Sequence, residues 1–178
     1  MKKSIRSVWK IQYFSVLVTV MVVIITQLTL VYPASALRVS ASPVIASLFS
    51  FSGTRPSNLG IKEGKFAPCP NTPNCVSSQG IDDLHQIEPF SYSDAPETAF
   101  KQIQTILENT ENAAIITAEP NYIYAEFTSP LMGFVDDVEF YLDEQENLIQ
   151  VRSASRLGES DLGVNRKRIE AIRAEFYL

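Results

Sequence analysis

Five basic residues stand within seventeen positions near the C terminus: Arg152, Arg156, Arg166, Lys167 and Arg168, in a run otherwise rich in polar residues and glycine. Guanidinium forks match the oxygens of carboxylate, phosphate or sulfate groups, and amides at the start of a helix attract the same anions. Arg152, Ser153, Ser155, Arg156, Asn165, Arg166 and Arg168 are therefore candidates to hold a small anionic ligand or a protein partner. The competing reading is internal. Arg152 or Arg156 could bridge to Asp136, Asp137 or Asp161, with Glu139 in the same network, and lock strand, loop and helix together. The internal network is preferred, and the two readings are compatible.

Other residue types offer less. Asp137 and Glu139 would share one face of a strand and could present oxygens to a hard cation with Asp136; a solvated acidic face is the simpler reading. His85 is the only histidine. It could serve as a base for Ser77 or Ser78, oriented by Asp82 or Asp136, or work with Asp136 and Asp137 in a hydrolase-like or metal-assisted reaction. The spacing supports none of these, and Gly-x-Ser-x-Gly is absent. No catalytic residue, metal ligand or cofactor site is assigned. Cys69 and Cys75 match neither a short metal knuckle nor the CxxC redox pattern. A structural disulfide closing a small loop is the first choice, unpaired buried thiols the second, and a metal or redox role the third.

These residues must be positioned by a modest set of elements. Phe66–Val76 carries three prolines in six positions, which makes it a stiff, irregular loop. Asp83–Pro89 is expected to form a first short strand carrying His85. Ser93 or Asp94 can cap a helix that has Pro96 in its first turn and apolar residues at 99, 100, 103, 106 and 107, ending near Glu108. Strands follow over 113–118, 122–128, 134–142 and 148–154. In the second of these, Tyr122, Tyr124 and Glu126 share one face, while Ile123, Ala125 and Phe127 share the other.

In the third, Asp136, Val138, Phe140 and Leu142 fall on the core side, and Val135, Asp137, Glu139 and Tyr141 on the solvent side. Asp136 then needs a donor. A final helix over 164–176 should turn Val164, Ile169, Ile172 and Phe176 inward and keep Arg166, Lys167, Arg168 and Glu170 largely outside. The order predicts an α+β fold: one antiparallel β-sheet with two helices packed on one face.

The first 36 residues read as an export signal. Lys2, Lys3, Arg6 and Lys10 precede an apolar run centred on 14–25, closed by Ala34-Ser35-Ala36. An uncleaved membrane anchor is the alternative, because Ile11 to Tyr32 carries no charge and is long enough to cross a bilayer. Either way the domain is expected across the membrane. Residues 37–65 read as a leader, either a flexible tether or a segment with a helical turn or two docked on the domain, and 66–178 as the folded domain. Beyond residue 36 there are eleven basic against twenty acidic residues, a formal charge of −9 compared with −5 for the whole chain. That balance disfavours nucleic acid and limits membrane contact to the N-terminal segment.

Three separated stretches carry a resemblance. They are Pro68-Cys69-Pro70-x-x-Pro73-Asn74-Cys75-Val76-Ser77-Ser78, then Phe134-Val135-Asp136-Asp137-Val138-Glu139-Phe140. The third is Arg152-Ser153-Ala154-Ser155-Arg156-x-Gly158-x-x-Asp161-x-Gly163-x-Asn165-Arg166-x-Arg168. Together they resemble the DUF1499 family, which occurs in bacteria, cyanobacteria included, and in plastid-bearing eukaryotes. The resemblance implies that the three stretches form one unit, and it brings no activity with it. In a cyanobacterial member the domain would face the periplasm or the thylakoid lumen.

The function expected on these grounds is a non-catalytic, exported binding or assembly module for an anionic ligand or a membrane-associated protein. An enzyme using His85, and a lipid- or pigment-binding domain with a pocket lined by Tyr122, Tyr124 or Phe140, are the alternatives.

Overall fold

A computed structural model describes residues 51–178; the expected signal or anchor, and residues 37–50 of the expected leader, lie outside the described residues. Six strands and two helices follow in the order β1 (Cys75–Ser77), β2 (Phe90–Ser91), α1 (Pro96–Glu108), β3 (Ala113–Glu119), β4 (Tyr122–Thr128), β5 (Val135–Asp143), β6 (Leu148–Ser155) and α2 (Val164–Phe176). All strands pair antiparallel in the order β1-β6-β5-β4-β3, and β2 also pairs with β6. Two short pieces share one edge of β6. Cys75–Ser77 lies against Arg152–Ala154, and Phe90–Ser91 lies against Leu148–Ile149. The α+β architecture with one antiparallel sheet is as expected.

Both helices bury their apolar stripes on the same face. Ala99, Phe100, Ile103, Ile106 and Leu107 of α1 and Ile169, Ile172 and Phe176 of α2 join Ile123, Phe127, Val138, Phe140, Leu142, Ile149 and Val151 in one core. Phe90 completes it, packed edge-on against Phe140 and Phe176 with ring centroids 6.0 and 5.5 Å apart. Burial of this face provides most of the driving force for the fold.

Four expectations about the elements are corrected. Residues 83–89 form no strand: the Asp82 carboxylate accepts from the amides of Leu84 and His85, and its carbonyl from His85 and Gln86, so the chain turns there. A short acid that can bond amides two and three residues on favours a turn over an extended run. The cap of α1 is Ala95, not Ser93 or Asp94, and makes no side-chain bond; its carbonyl accepts from Thr98 and Ala99 instead. Val164 is half-exposed rather than inward. Arg168, expected outside, turns inward to bond Asp136, Ser153 and Asn165.

The largest correction concerns the other face of the sheet. Asp137 and Glu139, expected to face solvent, are 1% and 0% exposed. Residues 51–66, including the described part of the leader, run across this face with fixed partners. The Gly60 amide donates to Glu139, Arg55 bonds Glu126, and the Phe66 amide and Gly64 carbonyl both bond Gln79. Gly53, at φ 63°, passes so close to the chain just after β6 that a Cβ there would lie 2.9 Å from the Arg156 Cβ. Only glycine fits easily there.

Candidate functional site

The sequence-selected residues separate into two clusters because alternate residues of β6 point to opposite faces. Arg152 and Arg156 lie on the outer face beneath the 51–66 segment. Ser153 and Ser155 lie on the helix face with Asn165 and Arg168. Arg166 joins neither, donating to the Leu84 carbonyl.

On the outer face, charges balance in number, with Arg156 and Glu126 each shared between two partners. Arg152 Nη1 donates to Glu139 Oε2 at 3.1 Å, and Glu139 Oε1 also accepts from the Tyr122 hydroxyl and the Gly60 amide at 2.8 and 2.7 Å. Arg156 grips Asp137 through Nε at 3.0 Å and Nη2 at 2.7 Å, and reaches Glu126 and the Tyr124 hydroxyl as well. Arg55 closes the array on Glu126 at 2.6 Å. Three guanidinium groups thus face three carboxylates. Cross-strand register sets the pairs, since Glu139 opposes Arg152 and Glu126 opposes Asp137 across neighbouring strands.

The electrostatics follow from that packing. Burial alone would raise the Glu126 carboxyl, but bonds from Arg156, Arg55 and Tyr124 outweigh it and leave it below the usual range. Asp137, then Glu126, holds the Arg156 guanidinium above its ordinary value despite burial. Burial first, and neighbouring acids second, push the Tyr122 and Tyr124 phenols up, so both stay protonated donors at neutral pH. Each charge in this array has a counter-charge, although Arg152 Nε is buried without a hydrogen-bond partner among the described residues, and such an array stiffens the sheet.

On the helix face, Asn165 is fully buried and central. Its Nδ2 donates to the Asn74 carbonyl at 3.1 Å, to Ser155 Oγ at 2.9 Å and to Asp161 Oδ2 at 2.9 Å. Its Oδ1 accepts from Ser153 Oγ at 2.5 Å and Arg168 Nη1 at 2.6 Å. Arg168 then pairs with Asp136 at 2.5 Å and lies over the Phe127 ring, so the awkward carboxylate of β5 has its donor. Asp161, two residues before the Gly163 cap of α2, accepts from the amides of Gly163 and Asn165 at 2.9 and 2.7 Å and so satisfies an otherwise unpaired amide of the first turn. These bonds outweigh burial and draw its carboxyl below the usual range.

Cys69 and Cys75 form a disulfide with an S–S distance of 2.04 Å. His85 adds a second tie to the same loop. Its Nδ1 meets Asp82 at 2.8 Å and its Nε2 the Thr72 carbonyl at 3.2 Å. Both partners accept, so both ring nitrogens donate and the imidazolium is favoured. A doubly donating ring has no lone pair for a base. His85 bonds neither Asp136 nor Asp137, and the hydroxyls of Ser77 and Ser78 pair with Gln79 and Gln150. The pocket imagined around Tyr122, Tyr124 and Phe140 does not form either: the two phenols bond acids on the outer face while Phe140 lies in the core opposite.

The open feature is apolar and sits where β5 begins and β6 ends. A groove of about 310 Å³ is lined by Phe134, Val135, Leu157, Leu162 and Val164, with Asp136, Ser155 and Asp161 among its polar neighbours. Those polar groups are already bonded within the protein. A wider hollow of about 470 Å³ lies at the opposite end of β6, beside Ser91, Gln102 and Tyr177. None of the candidate ligand-binding residues lines it.

The sequence missed Arg55, Glu126, Asn74 and the groove's apolar rim. A signal existed for Glu126, which alternates onto the same face as Tyr122 and Tyr124. None existed for Arg55, since nothing local shows a leader lying on a sheet.

Fold and site together define an α+β domain with one antiparallel sheet, an internally neutralised polar interior and one apolar end. The chain belongs to the DUF1499 family: the family model, described as a protein of unknown function, matches residues 65–176. No curated protein matches the chain.

Proposed function

We propose that this DUF1499 domain is a non-catalytic, exported binding module, and that it works through the apolar end of its sheet. The observation carrying this reading is the contrast between two surfaces. Arg152, Arg156 and Arg168 are all engaged by carboxylates, whereas the groove between Phe134, Leu157, Leu162 and Val164 is open and apolar. Burying apolar surface is favourable without any free charge, and pockets that hold ligands are largely apolar. A small anionic ligand has less support, because the guanidinium groups proposed to receive it are already neutralised.

Export is supported by the basic, then apolar, start ending in Ala34-Ser35-Ala36, and by a disulfide suited to an oxidising compartment. The periplasm and the thylakoid lumen fit equally, with the N-terminal segment either cleaved or retained as an anchor.

The test is binding of N-phenylnaphthylamine, whose fluorescence rises in apolar sites. The double variant Leu157→Asp/Val164→Asp should weaken it at least about tenfold while leaving thermal melting unchanged, because both side chains are half-exposed. Equal binding by both proteins would refute the reading.

A further inference from the structure

Large apolar side chains are not spread evenly over the surface. Twelve are exposed among the described residues, and seven of them belong to one end: Phe51, Leu131, Met132, Phe134, Leu157, Leu162 and Val164. Single exposed leucines are ordinary, but a cluster marks a contact. Of these seven, Leu131 and Leu162 are the most exposed, at 87% and 86%, on the two loops that flank the groove. Leu162 also adopts φ 55°, a left-handed conformation that non-glycine residues seldom take. It contributes almost no burial in return, so its side chain has no evident role inside this fold.

The chain itself indicates what this end meets. Phe51 stacks on Phe134 with ring centroids 5.4 Å apart, and its amide donates to the Met132 carbonyl. The upstream chain therefore joins the domain at the apolar end. Eighteen residues separate Phe51 from Tyr32, the last residue of the uncharged run that begins at Ile11. Fully extended they reach at most roughly 60 Å. The two loops carry no lysine, and Arg156 beside Leu157 is held by Asp137 and Glu126 on the outer face, which leaves the acids Glu159 and Asp161 as the other ionised groups on them.

We infer that the apolar end rests on the surface of a lipid bilayer with uncharged headgroups, with Leu131, Phe134, Leu157 and Leu162 entering the boundary between headgroups and acyl chains. This rests on the binding reading above, names its partner, and extends membrane contact beyond the N-terminal segment to which the charge balance confines it. Short apolar loops inserted to that depth, together with a tether, hold a domain at a membrane without basic residues. Attachment of this kind is insensitive to salt, unlike attachment through lysine and arginine.

The native cysteines are paired, so a single introduced thiol can be labelled. Full-length Leu162→Cys carrying an NBD fluorophore is placed on phosphatidylcholine vesicles and compared with Gln145→Cys, in the exposed turn at the opposite end of β6. The label at 162 should shift to the blue, be quenched severalfold more by lipids bearing a shallow spin label than the label at 145, and resist aqueous iodide. Equal iodide quenching at both positions overturns the inference. So does protection at 162 that grows with protein concentration in detergent, which points to a second copy, or protection found only in native membranes, which points to a protein. If N-phenylnaphthylamine still binds while the label stays in water, the groove reading survives and only the bilayer falls.

Discussion

Asn165 at the start of α2 donates its side-chain N–H to the backbone carbonyl of Asn74, 91 residues away and next to the disulfide. The same carbonyl accepts from the Ser155 amide, and the Asn74 side chain donates to the Gly158 carbonyl. One buried amide pair thus ties together the cysteine loop, the end of β6, the groove loop and the second helix. This is the physical reason the first and third sequence motifs form one unit.

Replacement of Asn165 by alanine removes a donor and an acceptor that together serve five partners at a fully buried site. Ser153, Arg168 and Asn74 would each lose a bond where water has little access. The expected loss is about 2–4 kcal/mol in urea unfolding, or a fall in Tm of roughly 10 °C. A change within about 0.5 kcal/mol would show that the cluster is an arrangement without energetic weight.

Arg152 and Glu139 carry the second prediction. Glu139 is fully buried, and Arg152 supplies its only full counter-charge among the described residues while Tyr122 and Gly60 supply neutral donors. Arg152→Met should destabilise the domain by about 3–5 kcal/mol, since it strands a buried carboxylate. Glu139→Gln added to that variant removes the charge but keeps the oxygen that Tyr122 and Gly60 address, and it should recover at least half the loss. The same pair of unfolding curves tests the claim that the outer face is built for rigidity. If the double variant is no better than the single one, charge compensation is not what Arg152 provides.

How far the chain could be read follows from which interactions are local. The range 122–128 emerged with its correct limits because Tyr-Ile-Tyr-Ala-Glu-Phe-Thr alternates cleanly, and the helix over 96–108 because its stripe recurs every three or four residues. The demand that Asp136 find a donor was also legible from parity, although its partner, Arg168, was placed outside. Long side chains near a helix start can bend inward over an aromatic ring, as Arg168 does over Phe127, and a helical wheel does not show it.

Asp137 and Glu139 were misread for a different reason. A strand pattern tells which residues share a face, not whether that face is covered, and the cover here is residues 51–66, a segment without repetitive structure. The split of Arg152 and Arg156 from Ser153 and Ser155 was in the alternation of β6 all along. Residues contiguous in a motif are divided between the two faces of a strand.

The last prediction concerns pH. The bond from Asp82 holds the His85 imidazole above its ordinary value of 6.5, aided by the Thr72 carbonyl and opposed by burial. The same bond holds Asp82 below its ordinary 3.8. The protonated ring therefore contributes stability that is complete below 6.5 and fades as pH rises through its raised folded value. The ionised acid contributes stability that is complete above 3.8 and fades as pH falls through its lowered one. Between those two values the clamp on the cysteine loop is at full strength. In calorimetric scans, wild type should exceed His85→Gln most in Tm at about pH 5, and the gap should narrow steadily towards about pH 9. Above the folded value one ring nitrogen loses its proton, and either Asp82 or the Thr72 carbonyl loses its donor, which is why the gap must shrink. A gap that stays constant across that range would mean the ring fills space without carrying charge.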